Sequence, residues 1–366
     1  MIEVFTTAGV IDRLACATES CECDWLNILN LQGDIYYSGR NYNWEEDPDD
    51  PWFIASQRGH DFINREEFIE GIKEHPESVL DHPDAVFILD VDSDFALRIE
   101  NDYGVICQPA STLDSHCRLT GQDRVKRVRK PEKTPGCATV IRKTWKDILG
   151  NQLRACPSNA MVLVERNFFS HYDKMTGELF GIENLRDLLD TVLPEKLKCE
   201  YQVLIIYQDG QHPTEAGKPL SEMEFIRDTE SRANEVVKGI RGYPISVKLL
   251  SVSDPKRYFD PVHRQLFNDT HDRRLVTNYY LIEASWSLAP FYTDRARTNE
   301  KITMEYLFSR LHEEGPEDLA VHEKNDILNM VKGFMAESNI YRTFLSPLSN
   351  RLVRHDVFSL SPSEAG

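Results

Sequence analysis

Four short apolar runs constrain this chain most: residues 85–89 (AVFIL), 160–164 (AMVLV), 201–207 (YQVLIIY) and 245–250 (ISVKLL). Each is too short for a globular helix and rich in Val, Ile, Leu or Phe, as strands buried on both faces are. Helix-like stretches separate them. FALRIEND follows the first run and leads to a further strand, GVICQ. Ile182, Leu185, Leu188, Leu189 and Val192 share one helical face, and residues 222–238 also read as a helix. Alternation of buried strands with amphipathic helices predicts an α/β fold with parallel pairing.

MIEVF is an opening strand, and residues 23–32 (CDWLNILNLQ) a second strand or a short helix. Residues 41–52 are an acidic, Pro-punctuated loop, and 208–221 a polar one. Asn64 caps a helix running to Glu74, with Glu66 and Glu67 in its first turn. Residues 145–153 form a short helix, 271–285 (HDRRLVTNYYLIEAS) two strands joined by a turn, and 300–312 and 317–337 are helical in composition. A chain of 366 residues exceeds one compact domain. Gly150 and Pro157 mark the expected boundary. The division is an acidic α/β domain over 1–150, with a basic connector at 118–135, a mixed α/β domain over 151–360, and a flexible tail at 361–366.

Charge narrows the partners. The net charge is −18, from 42 Lys+Arg against 60 Asp+Glu. Residues 1–102 hold 6 basic and 24 acidic residues, so the whole imbalance lies there and the remainder is neutral. The acidic part repels nucleic acid and anionic membrane and calls for a protein partner with a basic surface. The connector carries seven Lys/Arg between 118 and 133 but no interleaved aromatics, so nucleic acid is not favoured as its ligand. No secretory leader is legible at the start, and no run approaches the ~18 apolar residues of a membrane span. The expected location is cytoplasmic. Eight cysteines without a CxxC pair then read as reduced and partly buried, although Cys16, Cys21 and Cys23 cluster in sequence. No P-loop, dinucleotide fingerprint or G-x-S-x-G occurs, which disfavours nucleotide-driven motors, Rossmann oxidoreductases and α/β-hydrolases.

The most chemically suggestive segment is His271-Asp272-Arg273-Arg274-Leu275-Val276-Thr277-Asn278, an H-x-R-x4-N spacing at the start of a strand. It resembles a degenerate form of the H-x-K-x4-D motif of the phospholipase D superfamily. It also resembles the "HDR-apolar-apolar-T" segment of PLD-like domains that lost the motif, such as the C-terminal domain of MIT proteins. The resemblance covers residues 160–292. It implies phosphodiester chemistry with a histidine nucleophile, a phosphate-holding lysine and an orienting aspartate, two such motifs supplying nucleophile and general acid. By position His271 matches the nucleophile, Arg273 the lysine and Asn278 the aspartate, with Thr277 beside it in the ligand-binding set. Arg retains phosphate binding as a plane rather than a point charge, whereas Asn lacks the aspartate's negative charge. The same residues also read as a polar cluster at a strand end, with surface ion pairs worth ~0–1 kcal/mol. A second spacing, His322-x-Lys324-x4-Asn329, sits in an amphipathic context and reads as a solvated helix face.

A second candidate follows residues 85–89. Asp90, Asp92 and Asp94 stand at the end of a buried strand, where carboxylates of an α/β sheet can hold Mg²⁺, and Asp12 could join them in a metal-dependent nuclease. An EF-hand is excluded, because its Gly and Glu positions fall on Phe95 and Asn101. Helix capping by Asp92 or Asp94 is the plainer reading.

The expected function is a non-catalytic or weakly catalytic interaction or regulatory protein. Its degenerate PLD-like domain binds a phosphate-containing ligand, needs no cofactor, and in style belongs to a bacterial multi-protein system. The alternative is a phosphodiesterase or nuclease, with His271 as nucleophile or with Mg²⁺ at Asp90, Asp92 and Asp94. Ligand, partner and oligomeric state are not legible.

Overall fold

A computed structural model describes residues 3–15, 22, 25, 34–39, 61–114, 125–129, 156–169, 179–208, 221–252, 273–284, 291–292, 295–296, 301–307, 319–336, 342–343 and 350–353. Helices and two large sheets give an α/β protein. His271, Asp272, Cys16, Cys21, Cys23, the 41–52 loop, most of 23–32 and 208–221, the 145–153 helix and the 361–366 tail lie outside the described residues.

The first sheet is parallel, with strands β1 (Val4–Thr7), β2 (Asp34–Ser38), β3 (Asp61–Asn64), β4 (Val86–Leu89) and β5 (Ile106–Pro109) in the order β3-β2-β1-β4-β5. Helix α1 (Ala8–Ala15) packs Val10, Ile11 and Leu14 with Val4, Val86 and Ile88 on one face. Helices α2 (Glu66–Gly71) and α3 (Ser93–Tyr103) pack Ile69, Ala96 and Ile99 with Phe5 and Phe87 on the other. Burial on both faces explains why 85–89 is apolar throughout. Asn64 accepts from the Glu66 amide at 3.0 Å, although Arg65 holds the cap position and the α-helix ends at Gly71, not Glu74. Asp92 caps α3 by accepting from Phe95 N at 2.7 Å.

The second sheet is mixed. Its parallel part is β7 (Ala160–Val164), β8 (Tyr201–Gln208) and β9 (Ile245–Val252), linked through α4 (Phe180–Val192) and α5 (Glu222–Val237). Antiparallel strands β10 (Arg273–Thr277), β11 (Tyr280–Ala284), β14 (Lys301–Tyr306) and β6 (Val125–Arg129) extend it beyond β7, and β15 (Arg342–Thr343) pairs with β9. A separate pair joins β12 (Phe291–Tyr292) to β13 (Arg295–Ala296). Two expectations are overturned. Residues 301–306 form a strand rather than a helix, because KITMEY alternates apolar Ile302, Met304 and Tyr306 with polar neighbours at period two. Residues 125–129 pair with β14 as the edge strand of the sheet rather than running as a connector; Lys126, Arg127 and Arg129 suit an edge.

Helix α5 also serves the backbone of β9. Asn234 Oδ1 accepts from Val247 N at 2.9 Å while its Nδ2 donates to Val247 O at 3.0 Å, and Glu230 accepts from Leu249 N at 3.1 Å. These side chains replace a neighbouring strand there. The α4/α5 face of the second sheet and the α1 face of the first share one hydrophobic cluster, which includes Val4, Ile88, Met161, Leu163, Leu185, Leu275 and Tyr279. On the opposite face α6 (Leu319–Ala336) packs Ile327, Leu328 and Val331 on Val162, Val164, Leu204 and Val276. No helix among the described residues is long and apolar enough to cross a membrane.

Candidate functional site at the carboxyl edge of the second sheet

Strand β10 runs antiparallel to β7, so its first residue lies at the carboxyl end of the parallel trio β7–β9. The register makes this specific. Glu165 follows Val164 and donates its amide to Ile206 O at 3.0 Å, which carries it level with Tyr207; Tyr207 pairs with Ser251. Arg274 pairs with Val164, so Arg273 stands level with Glu165. The row Arg273, Glu165, Tyr207, Ser251 therefore crosses four strands at the edge where α/β sheets present ligand-binding groups.

The row also shares a face. Leu163 and Leu275 belong to the cluster under α4 and α5, and alternation puts Glu165 and Arg273 on that side. Arg274 takes the other side, with its guanidinium 3.6 Å from Glu283 and 3.4 Å from Glu323 of α6. Arg273 is 6% exposed and Glu165 1%.

Local structure around Glu165 favours an anion. The chain turns there, with Phe168 N donating to Glu165 O at 3.3 Å. Phe168 O then abuts Gly181 in the first turn of α4 so closely that any β-carbon at 181 would collide with it. The cap residue of α4, Leu179, has no side chain that can cap the amide-rich end of this 13-residue helix. Arg166, next to Glu165, has an Nε that is buried without a hydrogen-bond partner among the described residues. The Tyr207 ring, with Phe169 edge-on at 5.2 Å, supplies an apolar wall.

Thr277 lies at the other end of β10, roughly 14 Å from Arg273 at ~3.4 Å per residue, and Asn278 follows it. They belong to a junction between the two sheets. Thr277 Oγ1 accepts from Tyr280 N at 3.0 Å within the β10–β11 turn. Asn278 is fully buried; its Oδ1 accepts from Asn159 N (2.9 Å), Ser158 Oγ (3.0 Å) and Ala160 N (3.2 Å), while its Nδ2 donates to Pro83 O (2.5 Å) and Asn159 Oδ1 (3.1 Å). Both amide donors are thus engaged inside the protein. Tyr279 OH donates to Ala85 O at 2.6 Å and accepts from Ile106 N at 2.9 Å, and burial pushes its pKa well up.

Lys324 corrects the reading of a solvated helix face. It is 0% exposed, donating to Asn278 O at 2.5 Å and lying 3.2 Å from Asp84 Oδ2. The apolar stripe of α6 was legible, but a lysine within its reach was not, because its partners come from 46 and 240 residues away. Glu323 and Asn325 on the same helix are only half-buried.

The carboxylates of the other candidate sit where the first sheet reverses its order. Beyond Phe5↔Phe87 the register brings Asp90 level with Ala8, between the carboxyl ends of β1 and β4. Asp90, Asp92 and Asp94 are exposed, and Asp92 is engaged as a cap. Among the described residues, no three His, Cys, Asp or Glu side chains are grouped so as to hold a metal ion.

Glu165 and Arg166 were missed as site residues, although the signal was present. They follow AMVLV just as Asp90 follows AVFIL, at the same strand-end position. Compared with known proteins, the chain matches no family model, no curated protein and no solved structure.

Proposed function

We propose that this is an interaction or regulatory protein with little or no catalysis, whose second sheet binds a phosphate-containing ligand through Arg273 in a degenerate PLD-like arrangement. One observation carries the reading. A guanidinium, 6% exposed, is held at the carboxyl edge of parallel strands, level with Glu165, which Arg166 follows in sequence. Arginine recognises phosphate oxygens bidentately, and helix amino ends favour the same charge. The acidic first 102 residues support a protein partner with a basic surface.

Thermal denaturation with and without inorganic phosphate tests the ligand. Phosphate should raise the midpoint of the wild type and of Arg273→Lys in part, and leave Arg273→Ala unchanged. Equal shifts in all three would refute the assignment. Metal-independent cleavage of bis(p-nitrophenyl) phosphate that is lost in His271→Ala would instead favour an active phosphodiesterase.

The position of Asp90 at the strand-order reversal supports a second reading, a metal-dependent nuclease using Mg²⁺ at Asp90, Asp92 and Asp94. It requires an EDTA-sensitive nuclease activity that Asp90→Asn abolishes; a chain without such activity excludes it.

A further inference from the structure

Lys324 places a full charge where water does not reach. Its side chain is 0% exposed, whereas that of Asp84, 3.2 Å away, is 24% exposed. Burial holds the lysine pKa below its usual value and Asp84 draws it back in part, while Lys332, two turns along α6, adds a like charge. The other contact is a dipole, the Asn278 carbonyl of the β10–β11 turn. Glu323, the residue before Lys324, lies 3.4 Å from Arg274 of β10 instead. Among the described residues, Asp84 therefore supplies the negative charge that keeps this lysine in place. A proton acts unequally on the two partners. Taken up by Asp84, which solvent reaches, it removes the opposite charge. The amine cannot answer by giving up its own proton in acid, and a buried ammonium without a countercharge is strongly unfavourable. The cost falls on α6, because the helix is lightly held. Its described apolar residues in the cluster beneath it are Ile327, Leu328 and Val331, with Met330 partly buried. Their partners, among them Val162, Val164, Leu204 and Val276, belong to strands paired on both sides, so the helix can lift without breaking the sheet. Elements with few buried apolar contacts are those that open locally.

We propose that the Asp84–Lys324 pair is an acid-sensitive latch: protonation of Asp84 releases α6 from the second sheet and uncovers the apolar face beneath it, with both sheets still formed.

Hydrogen exchange of the full chain, read by mass spectrometry and corrected for the intrinsic effect of pH on amides, tests it with β8 as the internal reference. Between neutral pH and about pH 4, near which carboxylates take up protons, α6 of the wild type should lose about a hundredfold or more of its protection while β8 keeps its own. Asp84→Asn should open α6 to the same extent at neutral pH. Lys324→Met should hold α6 closed in acid, and adding it to Asp84→Asn should close the helix again at neutral pH. The Glu323–Arg274 pair is weakened in acid too, but Lys324→Met retains it, so the difference between that variant and the wild type isolates the latch. Should Asp84→Asn fail to fold, the wild type and Lys324→Met across the same pH range decide. Protection of α6 that does not change in acid, that falls in step with β8, or that falls equally in Lys324→Met overturns the inference.

Discussion

The Lys324 ammonium donates to the backbone carbonyl of Asn278 at 2.5 Å, joining α6 to the β10–β11 turn. The lysine also lies 3.2 Å from Asp84, in the segment leading to β4 of the first sheet. Three elements distant in sequence thus meet at one buried charge. Asn278 extends the junction to Pro83, Ser158 and Asn159, and Tyr279 extends it to Ala85 and Ile106.

Asn278 explains why an aspartate is not found there. Its Nδ2 faces two acceptors, Pro83 O and Asn159 Oδ1. Asn278→Asp would set a carboxylate oxygen against both, in a fully buried place. We expect a loss of about 3 kcal/mol or more in denaturant unfolding, with Asn278→Ala close behind. Unchanged stability in Asn278→Asp would show that the amide orientation is wrong.

Lys324 predicts a pH dependence. Burial lowers its pKa from 10.5, and the nearby Asp84 carboxylate raises it in part. The unfolded chain therefore binds more protons than the folded one between the lowered value and 10.5, so stability rises with pH across that window. Subtracting the pH–stability curve of Lys324→Met from that of the wild type should leave a positive slope on the alkaline side. A flat difference would contradict the buried charge.

Gly104 ends α3 at φ +67° and lies against the backbone of Ser158. A β-carbon there would both strain the left-handed backbone and overlap the Ser158 carbonyl. Gly104→Ala should cost about 2 kcal/mol or more, against about 1 kcal/mol for a glycine that needs only its torsion angle. Equal midpoints for wild type and variant in urea would remove this contact from the account.

Ser221 and Glu224 form a reciprocal capping box at the start of α5, with Ser221 N donating to Glu224 Oε2 at 3.0 Å and Glu224 N to Ser221 Oγ at 3.3 Å. Bonds from Ser221 hold the Glu224 pKa below the usual carboxylate value. Their contribution is present above the unfolded pKa and is lost as pH falls through the folded one. Ser221→Ala should cost about 1 kcal/mol at neutral pH, and the gap to wild type should narrow in acid.

The strands buried on both faces were legible because their signal is local: AVFIL, AMVLV and YQVLIIY need no knowledge of their neighbours. The strand at 301–306 was legible too, but its overall composition outweighed its alternation. The edge strand at 125–129 was hidden by its charge, which suits both a solvated connector and a sheet edge. The junction at Asn278 could not be read from the chain, since its meaning depends on Pro83 and Lys324. Of the candidate site, Arg273 was found through its motif spacing. Its neighbour Glu165 became visible only when β7 and β10 were laid in register.

Binding of inorganic phosphate measured by calorimetry, in wild type and in Arg273→Ala at low and moderate salt, tests the central claim most directly. The wild type is expected to bind phosphate at one site per chain, weakened by salt, with binding lost in Arg273→Ala while the fold is retained by circular dichroism. Phosphate binding of equal strength in the folded variant, or none in the wild type, would contradict it.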